Sequence, residues 1–214
     1  MKQELLIGIT ESGVMHTDAD PPIHLDTKFQ MVKESGVYDY FDKTPPLELE
    51  DDYRRCSEKY ELPILAGGWF YVLGRDEDLL MENLRLGARL GSLVHNTQII
   101  MDHQDGSLVS DEQVVEIYLR AYETGEACGC RPTFEVHVNM WSEDFRRIEK
   151  VADLVEKQGI PFRMTLDHSH VIFKIDNPRE QEVFNIRESI ENGDLVLDPF
   201  QDNHVCGKWI DRGF

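Results

Sequence analysis

The chain has 214 residues, long enough to bury a sizeable core, and its 41 acidic against 22 basic residues leave a net charge of −19. That charge repels phosphate backbones and anionic membranes, and no basic stripe offsets it, so neither nucleic acid nor a membrane is expected as a partner. No segment is apolar for long enough to read as a signal peptide or a membrane span, which points to a cytoplasmic protein.

A strand-then-helix rhythm runs along the chain. Apolar runs at 5–10, 36–41, 62–70, 93–101, 133–140 and 161–167 are predicted strands, with helical patterns between them. The segment 26–34 is the least defined of these. A helix covers 47–60, and its acidic start, Glu48 to Asp52, reads as a solvated first turn. Asp76 opens another, with Leu80, Leu84 and Gly87 on one face. Ser110 and Gln113 form a capping box ahead of Val114, Val115, Tyr118 and Leu119. Cys56, Cys128, Cys130 and Cys206 are expected to be reduced thiols, since Cys128-Gly129-Cys130 is too tight for the usual metal or redox pair.

The run 133–140 is the most informative. Side chains alternate across a strand, so Phe134, Val136 and Val138 share one face and Glu135, His137 and Asn139 the other. A helix follows, with Ser142 as its cap, Glu143 and Asp144 in its first turn and an apolar stripe of Phe145, Ile148, Ala152 and Val155, until Gly159 and Pro161 stop it. The next strand repeats the pattern, with Phe162, Met164 and Leu166 opposite Arg163, Thr165 and Asp167, and leads into Asp167-His168-Ser169-His170. A right-handed crossover puts the C-terminal ends of both strands on one side of the sheet, so Glu135 and Asp167 should be neighbours. Asn177-Pro178 starts a further helix through Val183, Ile186 and Ile190. The residues 203–214 read as an amphipathic helix, a glycine stop and the start of a next strand.

No linker divides the chain, so a single α/β domain over residues 1–214 is expected. The first strand lacks a glycine-rich dinucleotide turn, and the strand ends are polar on one face, which favours a TIM-barrel-like parallel (β/α) repeat over an open sheet. About six of the eight strands of such a barrel are legible, so the barrel is expected to be incomplete at the C-terminus. The 214-residue form is therefore expected either to be a fragment of a longer chain or to cover its open edges by self-association as a homo-oligomer, most commonly a dimer.

Glu135, Asp167 and nearby imidazoles form a set of oxygen and nitrogen donors suited to Mg²⁺, Mn²⁺, Co²⁺ or Zn²⁺. The glutamate on a fifth strand, the Asp-x-x-His of Asp167 to His170 after a sixth, and the βα rhythm together resemble the xylose isomerase-like TIM barrels. That superfamily includes sugar isomerases, ketose 3-epimerases, dehydratases and the endonuclease IV group. The resemblance implies that Glu135 and Asp167 hold the metal, that Glu135 also serves as an acid/base, and that His170 contacts substrate. It places Asn96 and Gln98 of the fourth strand toward the pocket, with His95 as the alternative inward residue. The family's further histidine and glutamate, from a seventh and an eighth strand, have no counterpart in this sequence. Read from the residues, His137 is a ligand, a partner of a ligand, a substrate contact or a hydrogen-bonded interior group, and Trp141 and Trp69 are either pocket aromatics or packing residues. The implied activity is a metal-dependent isomerase or epimerase acting on a small sugar, keto-acid or polyhydroxylated carbonyl compound through an enediolate. The alternatives are a dehydratase or lyase of the same superfamily, or a non-catalytic truncated barrel or ligand-binding domain.

Overall fold

The structure is a computed structural model that describes residues 5–14, 22–167 and 178–194. It contains the six strands β1 (Gly8–Thr10), β2 (Tyr40–Asp42), β3 (Ile64–Tyr71), β4 (Val94–Ile99), β5 (Arg131–Val136) and β6 (Met164–Leu166). Five longer helices follow the strands or precede them: α1 (Leu25–Ser35), α2 (Glu50–Tyr60), α3 (Glu77–Leu90), α4 (Asp111–Cys128) and α5 (Phe145–Glu156). Two short ones, α6 (Pro178–Val183) and α7 (Ile186–Glu191), come last. The strands lie in sequence order in one sheet, with parallel registers for β1 on β2, β2 on β3 and β5 on β6. This is the expected (β/α) repeat, a partial TIM-barrel-type fold.

The chain groups into two compact units. The first comprises Met1–Trp69, Leu79–Asn96 and Tyr122–Pro132. The segment 26–34, the weakest in the sequence, is a regular helix whose start is capped by His24, whose Nδ1 accepts from the Asp26 N–H at 3.3 Å, and whose end is turned by Gly36 at φ 63°. Phe29 of α1 stacks on Phe41 of β2 with ring centres 4.4 Å apart and meets Tyr53 of α2 edge-on at 6.2 Å, so one aromatic file ties both helices to the sheet. Gly67 in β3 is required by a close approach: a Cβ there would lie 2.3 Å from Thr44 Oγ1 and 3.0 Å from the Thr44 backbone nitrogen.

The second unit comprises Phe70–Asp78, Thr97–Ala121 and Thr133–Phe214. The capping box forms as the sequence specifies: the Ser110 N–H donates to Gln113 Oε1 at 2.8 Å and the Gln113 N–H to Ser110 Oγ at 3.2 Å. Phe134 of β5 sits among Tyr118, Phe162 and Trp141 at centre distances of 5.0, 6.4 and 6.3 Å, which is the core between sheet and helices.

Three local expectations are corrected. The fifth strand ends at Val136, because Asn139 adopts the left-handed backbone (φ 62°) that turns the chain away, a conformation asparagine tolerates. Ser142 does not cap α5; the cap is Asp144, whose Oδ1 accepts from the Arg146 N–H at 3.1 Å, while Ser142 donates to the Glu135 carbonyl at 2.5 Å. The helix opened by Pro178 breaks at Asn185, also left-handed at φ 48°, so two short helices stand in place of one.

Candidate functional site

Glu135 is the centre of the site. Strand alternation puts Thr133 and Glu135 on the opposite face from Phe134, and Thr133 Oγ1 lies 2.7 Å from Thr165 Oγ1 on the neighbouring strand, so those two residues share that face. Glu135 is in register with Thr165 of β6. Glu135 thus stands at the C-terminal end of β5 beside β6, and Asp167 is the first residue after β6. The Glu135 side chain is only 5% exposed. Its Oε2 accepts a hydrogen bond from Gln98 Nε2 of β4, and its main-chain carbonyl is held by Ser142.

His137 follows the end of β5. Its Nδ1 is 2.8 Å from the Val138 carbonyl, which can only accept, so Nδ1 donates to it. Phe70 meets the imidazole edge-on, with centres 5.7 Å apart and planes at 90°, which fixes the ring's orientation. Asn139 lies past the strand end: its N–H donates to Glu143 Oε2 at 2.7 Å, so its backbone orders the turn.

The other sequence candidates fall in different places. On β4, Asn96 and Gln98 are half-buried and alternate with the buried His95, Thr97 and Ile99, so the polar pair shares the face that carries the Gln98 contact to Glu135. His95 points the other way. It is 1% exposed, its Nδ1 lies 3.2 Å from Thr44 Oγ1, and burial pushes its pKa down to about 3, so it is a neutral core histidine. Trp141 is fully buried against Phe134 and stands in the core rather than at a pocket mouth. A tryptophan after a polar strand end signals a pocket or a plug equally well, and only packing separates them. His168 and His170 lie outside the described residues.

A second buried polar set was not singled out from the sequence. Arg147 is 3% exposed; its Nε donates to Asp111 Oδ1 at 2.7 Å, and its guanidinium carbon stands 4.4 Å from the centre of the Phe184 ring. Glu143, Asp144 and Glu180 are buried nearby in the same unit. Arg147 could have been found, because it lies on the stripe of Ile148, Val151 and Val155, and a cation on an apolar stripe requires a buried partner.

Among the described residues no group of three or more histidine, cysteine, aspartate or glutamate side chains is arranged to hold a metal ion. Glu135 and Asp167 supply hard oxygen donors and His137 Nε2 a nitrogen donor of the right chemical type for a divalent metal. The donor types fit such an ion.

No family model and no curated protein matches the chain. Solved structures do. A D-allulose 3-epimerase from Methylomonas sp., in complex with D-allulose, is similar at 15% identity and a TM-score of 0.61, over 78% of this chain and 64% of that one. A 3-keto-D-glucoside 4-epimerase from E. coli is similar at 12% identity and a TM-score of 0.59, over 89% and 76%. A probable 3-DHS dehydratase from Bacillus anthracis is similar at 13% identity and a TM-score of 0.55, over 78% and 64%. The chain thus spans less than two thirds of the length of the allulose epimerase and of the dehydratase. At these identities the likeness is one of fold.

Proposed function

We propose that this chain, whose fold is that of the xylose isomerase-like TIM barrels, is a divalent-metal-dependent isomerase or epimerase for a small sugar or related polyhydroxylated carbonyl compound. The observation that carries the reading is the setting of Glu135: a 5%-exposed carboxylate, held by Gln98, at the end of β5 beside β6, the strand that leads into Asp167. Glu135 and Asp167 would hold the metal, which when bound would polarise the substrate carbonyl as a Lewis acid. Glu135 removes the proton from the carbon next to the carbonyl. The C–H electron pair becomes the C=C bond of an enediolate and the carbonyl π pair moves to oxygen. Return of a proton to the opposite face of that carbon inverts it; return to the neighbouring carbon moves the carbonyl. His137 Nε2 is a suitable acceptor for a substrate hydroxyl, and His170 keeps its proposed role at the substrate.

The test is solvent exchange. The protein with added Mn²⁺ is incubated in D₂O with a panel of ketoses that includes D-allulose, and loss of the C–H signal is followed by proton NMR. Exchange with epimer or isomer formation is the expected result. Glu135→Gln should abolish it, by at least about 10²-fold, the lower range for removing a general base, with the circular dichroism spectrum unchanged. Chelator should do the same to the parent. Exchange that survives exhaustive chelation contradicts the metal requirement, and water loss without exchange into returned substrate moves the assignment to a dehydratase, a reaction that the fold likeness to the B. anthracis protein favours as the second reading.

A further inference from the structure

The first unit holds a groove of about 290 Å³ between the loop after β2 and the helix α3. Its walls are apolar, with Pro45 and Leu47 from the loop, Leu79 and Leu86 from α3, and Trp69 from β3. Trp69 is 42% exposed, Leu47 52% and Leu79 39%, so three large apolar side chains stand open to solvent at one place. The local sequence explains the opening. Gly67 and Trp69 share a face of β3, and Gly67 lets the loop at Thr44 run against the strand, so the first side chain past that contact is an indole that remains 42% exposed. Isolated exposed apolar residues are ordinary on a protein surface, but a concave cluster of them is a binding surface.

Charge decides what kind of ligand it fits. The charged lining residues are Glu48 and Glu82, both acidic, and among the described residues no lysine, arginine or histidine lines the groove. Anions are therefore repelled, and a neutral sugar finds few hydrogen-bonding partners on leucine and proline walls. A cation gains twice, from the carboxylates and from the negative face of the indole. We propose that this groove binds a small organic ammonium cation carried on an apolar body, of the arylalkylamine class, with the body against Leu47, Leu79 and Leu86 and the charge between Trp69 and the two glutamates. The groove is lined by residues of the first unit, and this proposal does not rest on the proposed reaction.

The experiment titrates the full chain with phenethylammonium chloride at constant ionic strength, with 2-phenylethanol as the neutral and 3-phenylpropionate as the anionic control. Binding is read from the shift of the Trp69 indole N–H, assigned with Trp69→Phe. The ammonium should bind at least tenfold more tightly than the alcohol, and the carboxylate should not bind. The double variant Glu48→Gln, Glu82→Gln should bring the ammonium to the affinity of the alcohol, and Trp69→Ala should weaken both. Equal affinity for alcohol and ammonium, ammonium binding unchanged in the double variant, or no ammonium binding would each overturn the proposal. Both glutamates are exposed, so the double variant keeps its fold, and an unchanged thermal transition verifies this.

Discussion

Glu180 is a carboxylic acid placed where a carboxylate is costly. It is 1% exposed, and burial pushes its pKa up to about 8; Glu143, Asp144 and Asp102 push the same way and Arg147 opposes them. The unfolded chain gives up this proton near the ordinary value of 4.5, whereas the native state keeps it to about 8. The native state binds more protons between those values, so the stabilising contribution is fully present below about pH 4.5 and is lost as the pH rises through about 8. Glu180→Gln keeps the neutral shape at every pH. The variant should match the parent in denaturant unfolding at about pH 4.5 and exceed its stability at about pH 9, each tenfold change in proton affinity being worth about 1.4 kcal/mol. A parent that is equally stable at both pH values contradicts this. Glu11 shows the opposite sign: burial raises its pKa, but hydrogen bonds from Lys28, Lys43 and Tyr53 outweigh that and hold it at about 2. Its contribution is present above its ordinary value of 4.5 and is lost as the pH falls toward 2.

The helices illustrate how local chemistry and packing share the work. The Ser110 and Gln113 box satisfies donors at the start of α4 that would otherwise be lost to solvent, and α4 carries Tyr118, which lies against Phe134 and donates from its hydroxyl to the Pro161 carbonyl at 2.7 Å. Ser110→Ala should cost about 1 kcal/mol in denaturant unfolding, and Ser110→Gly should cost less, since glycine is tolerated at an N-cap. Equal losses for the two would mean that the reciprocal bonds are not what secures this helix end. At the start of α5 the choice among Ser142, Glu143 and Asp144 could not be made from residue type. All are sound at a helix start, and the close turn after Asn139 leaves Asp144 at the boundary while sending Ser142 back to the Glu135 carbonyl.

At the scale of the whole molecule, β1 and β6 are the outer strands of the sheet order, each three residues long. Their neighbourhoods expose apolar side chains, with Ile7 at 49% and Leu166 at 52%. Outer strands with exposed apolar side chains favour self-association, whereas a charge of −19 opposes it. The balance should shift with salt, since the screening length falls from roughly 30 Å at 0.01 M to about 10 Å at 0.1 M. Sedimentation velocity should therefore show a dimer whose fraction grows with ionic strength and protein concentration, and Leu166→Lys should reduce it. A monomer at every salt concentration would count against association through these strands.

Periodicity and turn chemistry alone determined the order and type of the repeating elements, the capping box and the pairing of Glu135 with Thr165 on the neighbouring strand. These depend on alternation and on contacts a few residues apart, which are written directly in the chain. The partners of buried polar groups were decided by the tertiary structure. Gln98 reads as a substrate contact until β4 is set beside β5 and its amide meets Glu135; His95 is one residue from the pocket-facing positions, yet alternation and Thr44 make it core; Trp141 fits a pocket mouth until Phe134 is found against it. Arg147 and Asp111 are 36 residues apart and become a buried pair only when α5 packs on the start of α4. Residue type specifies which bonds a side chain can make, but burial selects among them, because removal from water makes an unsatisfied polar group costly.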